Sequence, residues 1–261
     1  MRSLAIGATG MLAQQMNVDV IANNLANMTT TGFKRQRIEF HDLLYQNITR
    51  PGTASSSADT TTPSGLQLGL GVRAAATYRI HTQGAVQITD SELDIAINGE
   101  GFLQIELPNG DTGYTRAGSL QVNQDGEIVT NEGFVVEPGI TIPEDITNLE
   151  INRDGEVFGR LRDQAELVEI GRFDLVMFIN PAGLEAIGDT NYKETEASGA
   201  PIIGNPGEDN FGTIIQGALE QSNVDSVKEI TNMITAQRAY EMNSQVISTS
   251  DEMMGTITQL R

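Results

Sequence analysis

The sequence predicts an α+β protein in which two long helices, one near each end of the chain, flank a central region of antiparallel β-strands. Three observations predict this fold class. Apolar residues recur every seven positions at both ends, as they do along one side of a helix. Between the ends, short apolar runs alternate with Asn-Gly and Asp-Gly turns, which are typical of β-hairpins. The 261 residues are enough for one or two domains with a buried core.

The N-terminal helix is predicted from Ser3 to Met28, where apolar residues recur every seven positions, although Gly7 and Gln14 interrupt the adjoining row. It is expected to end near Asn27, because Gly32 can take the left-handed conformation and Phe33 can pack back against the helix. A one-sided helix of this kind is marginal in water by itself. Its stripe therefore predicts a contact surface, and the candidate contact residues are Leu4, Met11, Val18, Ile21 and Leu25.

The C-terminal helix has a matching stripe that continues to the last turns of the chain. Asn243 lies beside this stripe, and we expect it to fix the register of packing, as a lone buried Asn does in coiled coils. A solvated helix face is the alternative interpretation of such polar residues. The first interpretation predicts several helix partners, namely the N-terminal helix and copies of neighbouring subunits. The candidate contact residues here are Met233, Tyr240, Asn243, Ile247, Met254 and Ile257.

The centre of the chain is predicted to be an antiparallel barrel or sandwich. Residues 72–80 alternate apolar and polar side chains, which indicates a half-buried strand. The pattern of residues 120–128 recurs at 149–157, so the same hairpin is expected twice. Residues 46–71 are rich in Ser, Thr and Gly and have no period, which predicts an extended arm or loop. The stretch "EFHDLL" at 39–44 is interpreted as helical.

Charge and composition exclude several classes of protein. The net charge is −19, and residues 92–196 contain 22 acidic and 6 basic residues, a net of −16. A polyanion of this kind is a poor partner for nucleic acid, whose phosphates need a basic surface. The chain has no cysteine, which excludes disulfides and thiolate sites. No run reaches the length of a membrane span, and the first residues make a poor secretory signal, so we expect export without a cleaved signal peptide.

Catalysis is not predicted. His41 and His81 are the two histidines, and we expect both to be solvated rather than part of a triad or a metal site. The stretches "NQDGE" and "NRDGE" resemble half of a calcium-binding loop, but their glycine is misplaced, so hairpin turns are the better interpretation. No phosphate loop, dinucleotide fingerprint or nucleophile elbow is present. The expectation is a protein without enzymatic activity, cofactor or metal.

Three segments resemble the bacterial flagellar rod and hook axial proteins: "VIANNLANMTTTGFKRQRIEF", "AINGEGFLQI" and "GALEQSNVDSVKEITNMITAQRAYEMNSQVIST". The order and length of the whole chain are most similar to the distal-rod members of that family. One departure is "YTRAGSL", with Ala117 and Leu120 where the family usually has "YTRDGSF". The residues that coincide with the family motifs are Asn23, Asn24, Asn27, Gly32, Phe33, Ser222, Asn223, Val224, Gln237 and Arg238.

The resemblance implies a structural subunit that polymerises helically into the distal rod of the flagellar basal body, spans the periplasm and transmits torque from motor to hook. The implied partners are other copies of the chain, proximal rod proteins, the hook protein, the surrounding bushing rings and the flagellar type III export apparatus. The implied domains are a terminal-helix coiled coil (1–33 and 222–261), a connecting domain (34–91 and 198–221) with the arm 46–71, and an outer β-domain (92–197). The alternatives are a proximal rod or hook-like subunit, or a secreted oligomeric β-domain that binds carbohydrate or calcium.

Overall fold

The structure is a computed structural model that describes residues 2–50, 64–143, 145–161, 167–208 and 210–259. A helix lies near each end of the chain and β-strands lie between them. The predicted α+β class with flanking helices is therefore confirmed. The described residues form two compact units. The helical unit comprises the described parts of Met1–Leu25, Gln36–Tyr78 and Ser226–Arg261, and the β unit comprises Ala26–Arg35 and Arg79–Asp225.

The helical unit contains both helices and two small sheets. Neither described helix is long and apolar enough to cross a membrane. Strands β1 and β4 pair with each other, as do β2 and β3. The elements are α1 (Arg2–Ala26), β1 (Gln36–Asp42), β2 (Tyr45–Thr49), β3 (Leu66–Gly69), β4 (Val72–Arg79) and α2 (Ser226–Gln259).

Two sequence interpretations change in this unit. The helix expected at residues 39–44 is wrong, because strand β1 covers most of that stretch. Ile38 and Phe40 are half-buried while Arg37, Glu39 and His41 are exposed, and this alternation is the two-residue period of a strand. Within the arm predicted at 46–71, residues 51–63 lie outside the described residues. Its described flanks form the antiparallel pair β2 and β3, so part of the arm is a hairpin.

The β unit consists of antiparallel strands arranged in several sheets. The largest sheet has the order β15-β16-β8-β7-β14-β17; β11, β12 and β13 form a second, and three pairs complete the unit. The strands are β5 (Val86–Ile88), β6 (Ile95–Asn98), β7 (Phe102–Glu106), β8 (Thr112–Thr115), β9 (Leu120–Val122), β10 (Ile128–Thr130), β11 (Ile146–Ile151), β12 (Glu156–Leu161), β13 (Leu167–Arg172), β14 (Leu175–Met177), β15 (Glu185–Gly188), β16 (Asn191–Lys193), β17 (Ile202–Gly204), β18 (Thr213–Gln216) and β19 (Ala218–Glu220).

Both faces of the largest sheet are buried. Leu103 and Leu175 belong to a large aliphatic cluster that also contains Phe173, whereas their neighbours Phe102 and Val176 belong to a second, aromatic cluster. Successive side chains of a strand point to opposite faces, so β7 and β14 supply one residue to each cluster in turn. This explains why residues 175–178, "LVMF", are all apolar rather than alternating, although the run "FDLVMFI" also contains Asp174.

The hairpin predicted to occur twice is confirmed. β9 pairs with β10, and β11 pairs with β12, each across the turn that contains the repeated Asp-Gly. The two turns have the same bonds: the amide of the turn glycine donates to the carbonyl of an Asn three residues earlier, at 3.2 Å for Gly126 and 3.1 Å for Gly155. Both glycines have a φ of +80°, which a residue with a side chain rarely adopts.

Candidate assembly interface

Helices α1 and α2 pack against each other in antiparallel orientation. A Cβ atom built on Gly7 would lie 2.9 Å from Ile247, and one built on Gly10 would lie 3.0 Å from the side-chain amide of Asn243. Near the other end of α1, Asn24 is hydrogen-bonded to Glu229. Residue numbers therefore rise along one helix as they fall along the other. The small glycines let the second helix approach closely at this end of the pair.

Of the buried residues described on the two helices, all except Ile21 of α1 are small or polar. On α2 they are Glu229, Ala236 and Ser250, which are 3%, 2% and 5% exposed. These three positions fall on a seven-residue repeat whose remaining position is the half-buried Asn243, and they lie three or four residues from the predicted stripe, as in the contact row of a paired helix. Close approach favours short side chains along the line where the helices meet. A prediction based only on apolar residues therefore identifies the neighbouring row of α2, the predicted stripe, as the contact row.

Asn24 anchors the opposite end of the helix pair from Gly7. It is 1% exposed, and its side-chain amide exchanges two hydrogen bonds with the backbone of Gln36, at 2.9 and 2.8 Å. The same Nδ2 lies 3.2 Å from Oε2 of Glu229. Asn24 thus links α1, the start of β1 and α2. It fixes the register there, whereas Asn243 packs against Gly10 at the opposite end.

Large apolar side chains remain exposed on the same two helices. Exposure of a single apolar residue is ordinary, but a series along two packed helices is typical of a protein-protein interface. Within the described part of the chain, three lie on α1 and seven on α2, with exposures from 39% to 73%. They are Ile6, Leu12 and Met16 on α1, and Val227, Ile230, Ile234, Tyr240, Met242, Val246 and Met253 on α2.

The predicted contact residues of α1 and α2 differ in their exposure. Ile21 is buried, and Tyr240 is 43% exposed. Ile257 lies in α2, but its side chain lies outside the described residues. The family-motif residues Gln237 and Arg238 are exposed on α2. The half-buried contact residues are Leu4, Met11, Val18, Leu25, Met233, Asn243, Ile247 and Met254.

Two more family-motif residues lie in α1, the exposed Asn23 and the buried Asn24. The remaining family-motif residues lie in the β unit. Most of them belong to a place where three chain segments meet, residues 32–35, 80–85 and 220–223, here called the junction. Asn223 is its central residue: its Oδ1 accepts from the Arg35 amide at 2.7 Å, and its Nδ2 donates to the carbonyls of Ile80 at 2.8 Å and Thr82 at 3.0 Å. Its amide also donates to the Phe33 carbonyl. Ser222 is buried, and Asn27 and Val224 are half-buried.

A buried triad of charges lies beside the junction. One oxygen of Glu220 lies 2.6 Å from Lys34 Nζ, and the other lies 2.8 Å from Arg116 Nε. The Gly84 amide donates to the first oxygen at 2.8 Å. Lys34 also donates to the Thr82 carbonyl, and Arg116 donates to backbone carbonyls including that of Gly101. These bonds satisfy the charged groups in the absence of water.

Electrostatics in the triad favour the charged carboxylate. Burial by itself raises the pKa of Glu220, but Arg116 and Lys34 outweigh this effect and hold that pKa below its ordinary value. Burial and the nearby Arg116 lower the pKa of Lys34, against the opposing attraction of Glu220. Two cations thus share one carboxylate, and Glu220 is the member on which both depend.

Gly32 allows the junction segment 32–35 to approach residues 116–117 closely. Its φ is +68°, and its amide donates to the Glu220 carbonyl at 2.8 Å. A Cβ atom there would lie 2.8 Å from the Ala117 amide nitrogen and 2.9 Å from the Arg116 carbonyl carbon. Only glycine fits both the conformation and the space.

We expect Gly32→Ala to lower the free energy of unfolding by about 1–2 kcal/mol for the left-handed backbone and by about 1–3 kcal/mol more for the steric clash. Urea denaturation followed by circular dichroism measures this change. Gly133→Ala is the matched control, because Gly133 has a φ of +88° and nothing lies within 4 Å of an added Cβ. Equal losses in the two variants would contradict the close approach at Gly32.

The histidines differ from each other. His41 is exposed on β1, as expected. The expectation of a solvated His81 is wrong, because both of its ring nitrogens are buried without a hydrogen-bond partner. Its ring contacts Phe102 and Tyr192 edge-on, with centroids 5.7 and 5.6 Å apart.

Sequence reasoning missed the triad and the contact of Asn24 with Glu229. The available signal was that charged residues lie within the family motifs, as Glu220 does in "GALEQSN" and Arg116 in "YTRAGSL".

Comparison with known proteins identifies the family. Residues 4–34 match the model described as "Flagella basal body rod protein", residues 96–159 match "Flagellar hook protein FlgE/F/G D1 domain", and residues 215–260 match "Flagellar basal body rod FlgEFG protein C-terminal". These segments contain both terminal helices, or most of them, and the first half of the β unit.

Three relatives called "Flagellar basal-body rod protein FlgG" match along their whole length. The protein of Caulobacter vibrioides is 53% identical, and the alignment covers 100% of both chains. The protein of Borreliella burgdorferi is 47% identical, with 100% of this chain and 99% of the relative covered. That of Bacillus subtilis is 37% identical with the same coverage. The chain therefore belongs to the flagellar basal-body rod protein family.

Proposed function

We propose that this chain is the structural subunit of the distal rod of the flagellar basal body, and that it polymerises helically into a shaft that transmits torque from motor to hook. The observation that supports this most directly is the series of exposed apolar residues along α1 and α2. Helices that meet through small residues and keep their large apolar side chains outward are suited to pack against further helices. A contact between unlike surfaces of identical subunits, repeated without closing, generates a filament.

The free energy available from these surfaces is sufficient for assembly. Burying a fully exposed Leu, Ile or Met side chain contributes about 1.5–3 kcal/mol, so covering ten half-exposed residues contributes on the order of 10 kcal/mol per subunit. Part of this offsets the lost freedom of the subunits. Repulsion between neighbouring acidic β units is screened over about 8 Å at physiological salt.

The domain arrangement that we propose places the terminal helices in an inner coiled coil, residues 92–197 outside, and the connecting segments with the arm 46–71 between neighbours. The hairpin of β2 and β3 supports the role of the arm, because its side chains are exposed and include Tyr45, Ile48, Leu66 and Leu68. A two-stranded hairpin with such side chains is marginal alone and favours burial against another subunit.

The remaining partners follow from the position in the basal body. They are proximal rod proteins at one end, the hook protein at the other, the surrounding bushing rings, and the type III export apparatus that delivers the subunit across the cell envelope without a cleaved signal peptide. The role is mechanical and involves no catalysis. A hook-like role is less well supported, since the three relatives described above, which match along their whole length, are called rod proteins.

Electron microscopy of basal bodies from cells with and without the gene tests this function. Without it, we expect basal bodies that retain the proximal rod but lack the distal segment and the hook, and re-expression should restore both. Complete absence of the rod would assign the chain to a proximal position. Rods of normal length with hooks would contradict the proposal.

A further inference from the structure

His81 occupies the middle of a junction segment. Its neighbours Ile80 and Thr82 supply the carbonyls that accept from Asn223, and Thr82 also accepts from Lys34 at 3.0 Å. The Ile80 amide donates to the Arg35 carbonyl at 2.9 Å. A displacement of the His81 ring is therefore coupled through two residues of backbone to the bonds that hold the junction together.

The surroundings of the ring favour a neutral imidazole. Both nitrogens are buried and unpartnered, and the ring lies between Phe102 and Tyr192. It also lines a cavity of about 50 Å³ together with Gly101, Phe178 and Pro181. An imidazolium has two N–H donors, and leaving a buried charge without acceptors is costly.

The charged groups around His81 are predominantly cationic. Lys34 precedes β1, Arg79 ends β4 with its guanidinium 5.7 Å from the Tyr192 ring centroid, and Arg116 follows β8. Burial and these three cations lower the pKa of His81 to about 4. Glu220 of β19 is already bound to Lys34 and Arg116.

Two further groups face the same cavity or ring. Glu100 lines the cavity but is exposed. Tyr192 of β16 has a raised pKa because of burial and remains a neutral phenol. A proton on His81 would therefore add a further positive charge to a cluster in which the buried carboxylate is already shared.

We propose that His81 is an acid-sensitive latch of the junction: when its ring binds a proton, residues 80–85 leave the junction while the aliphatic core of the β unit stays folded. The ring leaves because water hydrates an imidazolium at the surface, whereas in the buried position its two N–H groups have no acceptor. The carbonyls of Ile80 and Thr82 move with it, and Asn223 and Lys34 lose their acceptors.

The direction of the effect follows from linkage. A histidine whose pKa is lower in the closed junction than in the open one makes the closed state less stable as the pH falls below 6.5. With values of 6.5 and about 4, the opening equilibrium constant rises roughly thirty-fold between pH 7.5 and pH 5. At pH 5 the carboxylate of Glu220 is still ionised, because its pKa lies below its ordinary value of 4.5.

Hydrogen exchange of the full-length chain at pH 7.5 and 5, corrected for intrinsic rates, tests the latch. Junction amides such as those of Ile80, Arg35 and Gly84 should open roughly thirty-fold more at pH 5, whereas the core amides of Ile128 and Val136 should not change. His81→Phe should remove the difference, since phenylalanine binds no proton. His41→Phe is the control, because His41 is exposed on β1, and it should keep the difference.

The imidazole NMR signals of the wild-type chain give an independent measurement, and His41→Phe assigns the two histidines. His81 should remain neutral in the closed junction at pH 5. A His81 that is mostly protonated at pH 5 with unchanged junction exchange would overturn the proposal, as would an unchanged pH response in His81→Phe. If His81→Phe does not fold at pH 7.5, the wild-type exchange and NMR data decide, with His81→Leu as the second variant.

Discussion

Replacing Glu220 with alanine is expected to lower the free energy of unfolding by about 3–5 kcal/mol, which is the cost of removing one partner from a buried ion pair. Glu220 is 1% exposed and Lys34 is fully buried. Without the carboxylate, Lys34 and Arg116 would remain close together and away from water, and the Gly84 amide would lose its acceptor. Urea denaturation followed by circular dichroism at pH 7.5 measures the loss.

The matched control is Asp111→Ala, which breaks the ion pair between Lys193 and Asp111. Those two side chains are 41% and 48% exposed, so solvent screens the pair and we expect a much smaller loss. Glu220→Gln separates shape from charge, since it retains hydrogen-bond acceptors but neutralises the group, and it should be intermediate. Similar losses for Glu220→Ala and Asp111→Ala would mean that the buried triad contributes no more than a surface pair.

Introducing a charge into either contact surface of α2 is expected to abolish rod growth, and Tyr240→Asp and Ile247→Asp should do so for different reasons. Tyr240 is 43% exposed, so its substitution should leave the helical unit intact and act on the contact between subunits. Ile247 packs at Gly7 of α1, so its substitution should also separate the helices within one subunit. Motility in soft agar and electron microscopy of basal bodies measure rod growth.

Conservative variants provide the control for this pair. Tyr240→Phe and Ile247→Val keep the surfaces apolar and should assemble. Limited proteolysis of the purified chains distinguishes the two mechanisms, because Ile247→Asp should expose α1 and α2 to cleavage more than Tyr240→Asp does. The β unit should stay resistant in both. Rods of normal length in either Asp variant would argue against a role of that surface in assembly.

The elements that sequence reasoning predicted well are those with strong local signals. The helix predicted at 3–28 is observed at Arg2–Ala26, and the strand predicted at 72–80 is observed at Val72–Arg79. The twice-used hairpin was recognisable because Asp-Gly fixes the turn and the flanking residues alternate. Each of these features depends on residues a few positions apart.

The features that it missed depend on residues far apart in the chain. Lys34 and Glu220 are separated by 186 positions, and Arg116 and Glu220 by 104. No local period contains such pairs. His81 shows the same limit: it was assigned to the solvated face of its strand, yet aromatic residues from β7 and β16 cover its ring. Likewise, the depth of Ala236 and Ser250 depends on how closely α1 approaches, which the sequence of α2 alone does not determine.

The triad also affects the order in which the parts of this chain can fold. Its three members come from near the beginning, the middle and near the end of the chain. A partly synthesised molecule that ends before position 220 contains Lys34 and Arg116 but lacks the carboxylate that pairs with both. Such an incomplete molecule lacks the ion pairs that stabilise the closed β unit. Folding of the β unit can therefore be completed only when the segment that contains Glu220 is present. A fragment limited to the central strands lacks this residue.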